Sequence, residues 1–383
     1  MKIAFDAQLL FEKQKTGIGW TADYVIKNII KECNNNEYYL NYFGLYKGKN
    51  KTRKIREYKE LGYKVNKCSW FHNVVYRRMW NKIPIPYTFF FGKRSEITQF
   101  FNYDIPPGVK GKAITFVYDM VYRAFPHTIN EQTMKMLDNN LIKACKRADH
   151  IITISQFSKN EIIKYLQVPG DKISIMPCGV DLSIFNPNYS DDEISAIRKK
   201  YCINKDYILY LGTLEPRKNI EILIEAYLLL KVKSSSLPKL VIAGKKGWMY
   251  ESIFKKVELY NLKDDVIFTD YVDDGDVPIL LNGASIFVFP SIYEGFGLPP
   301  LEAMACGTPV IASNTASIPE VIGDAGILVN PYSPEELSCA IEELINDEIL
   351  RLELRRRSLQ QAEKYTWKMS VHKLKGIYQS LLD

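Results

Sequence analysis

Segments with the pattern of buried β-strands alternate with helix-like segments along nearly the whole chain. This alternation is typical of parallel sheets whose two faces are covered by helices. It forms two series, separated by the charged stretch Asn186–Lys205, which is poor in strand-forming residues. We therefore predict an α/β protein with two doubly wound parallel sheets, the first domain spanning residues 1–185 and the second residues 206–365.

Apolar runs and helix-start signals place the elements of both series. The first series has predicted strands at Lys2–Asp6, Ile114–Tyr118, His150–Ile154 and Ile173–Met176. The second has predicted strands at Tyr207–Gly212, Leu240–Ala243, Val266–Phe268, Ser285–Phe289 and Pro309–Ala312. A first helix is predicted from about Trp20 to Lys31, and capping-box patterns at Ser158–Glu161 and Ser333–Glu336 predict two further helix starts.

Composition excludes several classes of protein. An apolar share of 46% and a charged share of 25% in 383 residues are typical of a globular chain, not of a disordered or collagen-like one. No uncharged apolar run has the roughly 18 residues of a membrane span, and Asp6 interrupts the stretch that a signal peptide needs. Seven Cys without a CxxC pair and four His predict reduced thiols and no metal site. We expect a cytoplasmic protein.

Positive charge is concentrated in one segment. Residues 47–112 contain 11 Lys and 5 Arg against 4 acidic residues, a net charge of +12, whereas the rest of the chain carries about −5. Aromatic residues interleave with these cations, namely Trp70, Phe71, Tyr76, Trp80, Phe89, Phe90 and Phe91. This favours an anionic membrane surface as a partner, and we expect no nucleic-acid partner. The alternative is that the rings belong to the core and the cations to an ordinary solvated face.

Two strand-to-helix connections contain residues suited to phosphate binding. Gly17 and Gly19 lie between the first strand and the first helix, where missing side chains let backbone N–H groups approach a phosphate. Arg217 and Lys218 follow a buried strand at a helix start, where the helix dipole disfavours cations unless an anion lies opposite. A diphosphate is the candidate anion. The alternatives are a tight turn without a ligand and two solvated surface charges.

A glycine-rich turn follows the strand that ends near Phe289. It leads into a helix, so that free backbone N–H groups lie at the carboxyl edge of the sheet. Glu294 precedes the turn and Glu302 lies in the helix. The chain reversal could bring both carboxylates to one cleft. There they would accept hydrogen bonds from sugar hydroxyls. The alternative is a helix-dipole role for Glu294 and a solvated position for Glu302.

Seven motifs, spread in order over most of the chain, together indicate a family. They are TGIG at Thr16–Gly19, ISQFS at Ile154–Ser158, PCGVD at Pro177–Asp181, GTLEPRKN at Gly212–Asn219, YVDD at Tyr271–Asp274, EGFGLPPLEAMACGTPVIAS at Glu294–Ser313 and IPEVIGDAGILV at Ile318–Val329. This set resembles the retaining nucleotide-sugar glycosyltransferases of family 4, which have the GT-B fold. The wider patterns are most similar to bacterial mannosyltransferases that act on surface polysaccharides such as lipopolysaccharide.

The resemblance implies a fold, an activity and substrates. Two Rossmann-like domains would face each other across a cleft, the first binding the acceptor, the second the nucleotide sugar, and residues 366–383 forming a helix that crosses back. The enzyme would be a metal-independent, retaining hexosyltransferase without a cofactor, and its nucleotide-sugar co-substrate would be GDP-mannose or a UDP-hexose. A lipid-linked glycan would be the acceptor, at the inner face of the cell membrane.

The resemblance also implies the site residues. Arg217 and Lys218 would hold the diphosphate and stabilise its charge as it leaves. Glu302 would bind the ribose hydroxyls, and Glu294 would face the donor sugar. Further contacts with the nucleotide sugar would come from Gly17, Gly19, Gly212, Thr213, Tyr271, Val272, Gly295, Phe296, Gly297 and Leu298.

One position departs from a common pattern of the family. Where many relatives have His-Asp, this chain has Tyr118-Asp119. A phenol with an ordinary pKa of about 10 is a poor base at neutral pH, although it can position a hydroxyl. We keep Tyr118 and Asp119 as catalytic candidates and expect the departing phosphate to act as the base. His127 is an alternative base, for which a structural role is favoured.

Two other classes of function stay open. A dehydrogenase needs a GxGxxG turn after its first strand and an acidic residue about 20 positions later. Gly17 and Gly19 follow a long loop instead, and a dehydrogenase leaves Arg217 and Lys218 unexplained. The second class is a non-catalytic sugar-binding or scaffold protein with the same fold, motivated by Tyr118. Slow hydrolysis of a nucleotide sugar would separate an enzyme from a scaffold.

Overall fold

The computed structural model describes residues 1–12, 17–32, 35–45, 49–80, 82–234 and 236–383. They form two compact units. The N-terminal unit comprises Met1–Ala124, Glu131–Cys178 and Trp367–Asp383, and the C-terminal unit comprises Phe125–Asn130 and Gly179–Thr366. The chain changes unit after Cys178, earlier than the predicted position 185. Cys178 contacts Thr21 of the N-terminal unit, whereas Val180 already pairs with Thr366 of the C-terminal unit.

The N-terminal unit contains a parallel sheet. Its strands are β1 (Lys2–Asp6), β2 (Glu37–Phe43), β3 (Lys64–Cys68), β4 (Ile97–Phe100), β5 (Lys112–Phe116), β6 (His150–Thr153) and β7 (Ile173–Ile175). They lie in the order β3-β2-β1-β4-β5-β6-β7. The chain therefore builds outward from β1 in one direction and then in the other, so that the switch point of the sheet lies between β1 and β4.

The C-terminal unit repeats this arrangement. Its strands are β8 (Tyr207–Leu211), β9 (Lys239–Ala243), β10 (Val266–Asp270), β11 (Ile286–Phe289), β12 (Val310–Ser313) and β13 (Ile327–Val329). They are all parallel and lie in the order β10-β9-β8-β11-β12-β13. The switch point lies between β8 and β11. Open parallel sheets bind ligands beyond the carboxyl ends of the strands at such a point.

Helices connect the strands in both units. The N-terminal unit has α1 (Gly17–Glu32), α2 (Lys49–Glu60), α3 (Asn73–Met79), α4 (Tyr87–Phe91), α5 (Val121–Ala124), α6 (Glu131–Arg147) and α7 (Gln156–Leu166). The C-terminal unit has α8 (Asp191–Lys200), α9 (Ile220–Lys233), α10 (Glu251–Leu259), α11 (Val277–Asn282), α12 (Leu298–Ala305), α13 (Ile318–Ile322), α14 (Pro334–Asn346) and α15 (Glu348–Glu363). The last helix, α16 (Trp367–Ser380), packs in the N-terminal unit, where Trp367 stacks on Tyr24 of α1 with 4.9 Å between ring centroids.

The two parallel sheets confirm the fold class that the alternating pattern predicts. Most predicted strands agree with the structure within two residues. The pattern did not predict β2, β3, β4 or β13. The reasons differ: β3 is an edge strand rich in Lys, β4 buries the polar residues Thr98 and Gln99, and β13 spans only Ile327–Val329. β3 and β4 lack the continuous apolar run on which the prediction depends, and the run of β13 has three residues.

Three helix starts can be compared with the capping patterns in the sequence. Ser155, not Ser158, caps α7, because its Oγ accepts a hydrogen bond from Ser158 N at 3.0 Å. The predicted cap at Ser333 is confirmed by a bond from Glu336 N, 3.1 Å long. The supposed linker Asn186–Lys205 contains α8, which starts with a complete capping box at Ser190.

Helix α1 also begins earlier than predicted. Gly17 and Gly19 lie in its first turn, not in a loop that precedes it, and Thr16 lies outside the described residues. An N-terminal turn still has N–H groups without intrahelical acceptors. The earlier helix start therefore does not affect the prediction that both glycines contact the nucleotide sugar.

The basic, aromatic segment is divided between core and surface. Tyr76, Trp80 and Phe91 are buried, whereas Trp70 and Phe89 are 59% and 65% exposed. The core alternative thus holds for the buried rings, and a membrane partner for the exposed rings stays a prediction. Among the described residues, no helix combines the length and the apolar character that crossing a bilayer requires.

Candidate active site

The ends of β8, β9 and β10 approach one another closely at the carboxyl edge of the C-terminal sheet. Gly212 N donates to Ala243 O and Gly244 N donates to Asp270 O, each at 2.9 Å. Gly244 has a φ of 144°, and a Cβ built there would lie 1.8 Å from Gly212 O. Only glycine permits this approach. The predicted contacts Gly212 and Thr213 follow β8 at this closely packed edge, and both are partly buried.

A short 3₁₀ turn, Pro216–Lys218, positions the two predicted cations. It follows β8, and Asn219, with a left-handed φ of 56°, separates it from α9. The side-chain amide of Asn219 donates to Pro290 O at 3.1 Å, which connects the turn to the chain beyond β11. Arg217 and Lys218 thus precede the helix rather than begin it, and they lie at the switch point of the sheet.

Two carboxylates of the chain face these cations. Lys218 Nζ lies 2.5 Å from Glu294 Oε1, and Arg217 Nη1 lies 2.8 Å from Glu294 Oε2. Arg217 Nη2 lies 2.6 Å from Glu215 Oε1, and Arg217 Nη1 donates to Tyr293 O at 2.7 Å. The charges of this cluster balance, and mutual pairing offsets the desolvation of each group. The cations therefore do not by themselves require a diphosphate.

Electrostatics keep Glu294 ionised. Burial opposes its charge, but Arg217 and Lys218 more than offset this and lower the pKa of the Glu294 carboxyl to about 2. Burial and Arg217 lower the pKa of the Lys218 ammonium, against the opposing charge of Glu294. The ammonium also lies 5.1 Å from the centroid of the Phe289 ring. Glu294 thus holds both cations in place at the end of β11.

The glycine-rich turn leads directly into α12. Gly297 has a φ of 108°, which strains any residue with a Cβ, and it occupies the N-cap position. Pro299 and Pro300 in the first turn have no N–H, so the donors at this helix start are limited to those around Gly297 and Leu298. The predicted contacts Gly295, Phe296 and Gly297 are buried, and Leu298 is partly buried. This turn can offer fewer N–H groups to an anion than the sequence prediction assumed.

Glu302 differs from Glu294 in its surroundings. It lies in α12, partly buried, and burial together with the charge of Asp274 raises the pKa of its carboxyl to about 8. None of the ion pairs within the described ranges involves Glu302. Asp274 Oδ1 accepts a hydrogen bond from the Tyr271 hydroxyl at 2.9 Å, and the Tyr271 ring is half exposed, whereas Val272 is buried. Asp274 therefore contacts Tyr271, which is predicted to lie beside the base, and its charge acts on Glu302, which is predicted to bind the ribose.

The remaining predicted residues belong to the N-terminal unit. The Tyr118 ring is buried and stacks on Phe116 at 5.3 Å, and its hydroxyl donates to Phe101 O at 3.2 Å. Burial raises the pKa of Tyr118 well above its ordinary value, which weakens it further as a base. Asp119 Oδ1 accepts from Val121 N at 3.0 Å, at the start of α5. The structure thus gives Tyr118 a packing position, and a catalytic role for it stays a prediction.

Two groups near the cluster were not identified from the sequence. Glu215 is buried and pairs with Arg217, and its only sequence signal is its position two residues before that cation. Phe125, which belongs to the C-terminal unit, packs against the Tyr293 ring at 5.5 Å. His127, the alternative base, lies exposed in the short turn that follows Phe125.

Comparisons with known proteins decide the family. The model for glycosyl transferases group 1 matches residues 193–365, and the model for glycosyltransferase family 4 matches residues 66–184. The O-antigen chain mannosyltransferase B of Escherichia coli is 34% identical over 268 residues, which are 70% of this chain and 69% of that protein. The chain belongs to glycosyltransferase family 4. The resemblance inferred from the seven motifs is confirmed.

Two further proteins are similar to this glycosyltransferase. The serotype-specific mannosyltransferase WbdA of Escherichia coli is 37% identical over 235 residues, which are 61% of this chain but 29% of that protein. The crystal structure of Anabaena HepE in complex with UDP and glucose has a TM-score of 0.73 at 17% identity and covers 99% of this chain and 100% of that chain. This structural likeness confirms the GT-B fold of the glycosyltransferase.

Proposed function

We propose that this glycosyltransferase moves a hexose, with mannose favoured, from a nucleoside-diphosphate sugar to a lipid-linked glycan of a surface polysaccharide. The observation that carries the proposal is the cluster of the partly buried Arg217 with the buried Lys218 and Glu294 at the switch point of the C-terminal sheet. The names of the two mannosyltransferase relatives support mannose, and GDP-mannose is then the donor. HepE, with UDP and glucose bound, makes a UDP-hexose the competing donor.

The cluster suits the charge changes of the transfer. The bond between the sugar C1 and the diphosphate breaks, and C1 forms a bond to an acceptor oxygen on the same face, which retains the anomeric configuration. The acceptor hydroxyl loses its proton to the departing phosphate oxygen. Negative charge grows on that phosphate, and Arg217 and Lys218 stabilise it as preorganised cations. Because two cations supply this stabilisation, the proposed reaction needs no metal ion.

We assign the nucleoside to Tyr271 and Glu302. The exposed ring of Tyr271 offers a face on which a base can stack, and Glu302 offers acceptor oxygens to ribose hydroxyls. The raised pKa of Glu302 means that ionisation is costly until a donor-rich ligand compensates for burial. Glu302 then binds ribose best as the carboxylate, so we expect donor affinity to increase as the pH rises toward about 8.

A thermal-shift panel tests the donor. GDP-, UDP-, ADP- and dTDP-sugars are each added to the full chain, since a ligand that binds only the native state raises its melting temperature. GDP-mannose is expected to give the largest shift and slow donor hydrolysis. A larger shift with a UDP-hexose replaces the proposed donor, and no shift and no hydrolysis with any nucleotide sugar supports the non-catalytic alternative.

Two measurements test the chemistry itself. Activity is expected to survive EDTA, and proton NMR of the product is expected to show the anomeric configuration of the donor. Loss of activity in EDTA with rescue by Mg²⁺ or Mn²⁺ would reject metal independence. Inversion at C1 would reject the same-face transfer.

We also propose that the N-terminal unit docks on the anionic inner face of the membrane. Its exposed large apolar side chains include Trp70, Val74, Val75, Ile83 and Phe89. Trp70 and Phe89 contact each other, with 5.6 Å between ring centroids. The exposed cations Arg53 and Arg56 of α2 belong to the same basic segment. Each such cation near an anionic surface contributes about 1 kcal/mol, and aromatic rings anchor at the interface.

Vesicle sedimentation tests the docking. Binding is expected to rise with anionic lipid, to fall with salt, and to weaken when Trp70 and Phe89 are changed to Ser or when Arg53 and Arg56 are changed to Glu. Val232→Ser is the control, because Val232 is 81% exposed, more than either ring, but lies in the C-terminal unit. Equal recovery with neutral and anionic vesicles at low salt would reject the proposal.

A further inference from the structure

The segment Pro290–Glu294 continues the chain beyond β11 and ends at the carboxylate that pairs with Arg217 and Lys218. In the sheet, β11 lies between β8 and β12. Each of the five backbone carbonyls of this segment accepts a hydrogen bond from a side chain. In the order of the carbonyls they bind, the donors are Asn219, Ser313, Thr315, Arg217 and Ser317. Side chains thus replace the backbone donors that a strand has inside a sheet.

Two of these donors come from the turn that follows β8. Asn219 Nδ2 donates to Pro290 O at 3.1 Å. Arg217 Nη1 donates to Tyr293 O at 2.7 Å, and Ile292 N donates in turn to Arg217 O at 3.0 Å. The turn that contains the two predicted cations is therefore hydrogen-bonded along one side of the segment beyond β11.

The other three donors are hydroxyl groups from the chain that follows β12, and we call them the hydroxyl clamp. The three bonds run from Ser313 Oγ to Ser291 O at 2.5 Å, from Thr315 Oγ1 to Ile292 O at 3.0 Å, and from Ser317 Oγ to Glu294 O at 2.8 Å. Ser313 and Ser317 are fully buried. A buried carbonyl that loses its donor is costly, so the clamp determines where this backbone can lie.

The clamp contains a strained backbone position. Ala316, between its last two hydroxyls, has a φ of 56°. This left-handed conformation is unfavourable for a residue with a Cβ, and it persists only where the surrounding structure determines the backbone. The chain therefore retains strain at the point where it brings the Ser317 hydroxyl to the carbonyl of Glu294.

The position of Glu294 in turn determines that of the cations. Its two carboxylate oxygens lie 2.5 Å from Lys218 Nζ and 2.8 Å from Arg217 Nη1. A displaced Glu294 backbone would move the carboxylate, and both cations would follow it. Cations that stabilise charge on a leaving phosphate must be in place before the reaction, and a misplacement of about 1 Å can cost roughly 10²-fold in rate.

We propose that the hydroxyl clamp positions Glu294, and through it Arg217 and Lys218, for the transfer reaction. The clamp acts through Glu294 and not by touching the substrate. The inference rests on the proposed function, which assigns the diphosphate to these two cations. The alternative is a purely structural role, in which loss of a hydroxyl lowers stability and leaves the site intact.

Matched variants separate the two roles. Ser317→Ala and Thr315→Val each remove one hydroxyl of the clamp, whereas Thr315→Ser keeps it. Ser358→Ala is the control, because Ser358 is also fully buried and its Oγ donates to the backbone carbonyl of Ala325 at 3.0 Å. Urea unfolding is expected to show a similar loss of stability in Ser317→Ala and Ser358→Ala. The Thr315 pair decides the matter if circular dichroism shows that Ser317→Ala does not fold.

Turnover of the full chain is the first readout, with the donor found by the thermal-shift panel. We expect kcat to fall about tenfold in Ser317→Ala and in Thr315→Val, because the cations are displaced. Rescue in Thr315→Ser and an unchanged kcat in Ser358→Ala are expected as well. A purely structural role predicts the same kcat in Ser317→Ala and Ser358→Ala.

Binding of inorganic pyrophosphate, followed by phosphorus NMR, is the second readout and needs neither sugar nor base. We expect about tenfold weaker binding in Ser317→Ala and Thr315→Val and wild-type affinity in Thr315→Ser and Ser358→Ala. In either measurement, wild-type values in both hydroxyl-free variants, or an equal loss in Ser358→Ala, overturn the proposal. So does a wild type that binds no pyrophosphate. The expected binding pattern in a chain that hydrolyses no nucleotide sugar rejects the proposed function alone.

Discussion

The two sheets have the same strand order around their switch points but differ in what lies there. At the switch point of the C-terminal sheet, the partly buried Arg217 and the buried Lys218 both pair with Glu294, and Arg217 also pairs with Glu215. At that of the N-terminal sheet, a cavity of about 530 Å³ is lined by buried aromatic rings together with three carboxylates and two cations, namely Asp6, Glu12, Asp104, Lys51 and Arg77. The C-terminal edge, here called the charged edge, thus packs its charges together in one cluster, whereas the N-terminal edge spreads charged groups and rings around a cavity. Strand order determines where a ligand binds, and the side chains beyond the strands determine its chemistry.

The largest expected effect concerns the charged edge. Lys218→Ala and Arg217→Ala are each expected to lower kcat about 10²-fold or more, because each removes a cation from the phosphate on which charge develops. Steady-state kinetics with the donor found by the thermal-shift panel measures this. Circular dichroism must show an intact fold for the result to count.

Lys231→Ala is the matched control for these variants. Lys231 pairs with Asp265 at 3.0 Å in the same unit, remote from the predicted site residues in sequence. Its kcat is expected to equal that of the wild type. Full activity in either Arg217→Ala or Lys218→Ala would reject the assignment of the diphosphate to these two cations.

The next prediction concerns the close backbone approach between Gly244 and Gly212 at the charged edge. Gly244→Ala is expected to destabilise the C-terminal unit by roughly 1–3 kcal/mol or more, because the new Cβ would overlap Gly212 O. Gly275→Ala is the control, since its Cβ would meet nothing within 4 Å. Urea unfolding compares the two. Equal stability of both variants would show that the close approach of β8 and β9 is not required.

The two glutamates of this edge should also differ in how they affect stability with pH. Glu302 has a pKa of about 8 in the folded chain, above its ordinary 4.5, so the unfolded chain loses this proton first. Its contribution therefore makes the unfolding free energy fall as the pH rises from about 4.5 to about 8. Glu294, with a pKa of about 2, makes that free energy fall as the pH drops from about 4.5 to about 2.

Urea unfolding at several pH values separates these windows. Glu302→Gln is expected to flatten the dependence between pH 5 and 8 and leave the acid side unchanged. Glu294→Gln is expected to do the reverse. If both variants change the same window, the opposite surroundings assigned to the two carboxyls are wrong.

The smallest effect is expected away from both edges, at the start of α8. Ser190→Ala removes the capping box with Glu193 and is expected to cost about 0.5–2 kcal/mol of stability without changing turnover. The unfolding free energy and kcat are measured together. A change in kcat would mean that this part of the chain contributes to the site.

The fold and the charged edge were accessible from the sequence for a physical reason. Parallel strands buried on both faces have continuous apolar runs, and phosphate-binding turns concentrate Gly and cations in a few residues. The partners of those cations were not accessible. The role of Glu294 beside the donor sugar stays a prediction, and its pairing with Lys218, 76 positions away in the chain, had no signal in the sequence.

The cavity at the N-terminal edge could not be predicted from the sequence. Its lining comes from separate segments, and rings such as Tyr76 and Trp80 have the same sequence signature whether they fill a core, anchor on a membrane or line a cavity. The distinction depends on tertiary packing. Burial separates Trp80 from Trp70, and only the folded chain shows it.

The central claim is that the charged edge of the C-terminal sheet holds the nucleotide sugar. Measuring the affinities of Glu302→Gln and of the control Lys231→Ala for the donor found by the thermal-shift panel tests it directly. Glu302→Gln is expected to weaken binding about tenfold, and Lys231→Ala is expected to bind like the wild type. Equal affinity of the wild type and Glu302→Gln would contradict the claim.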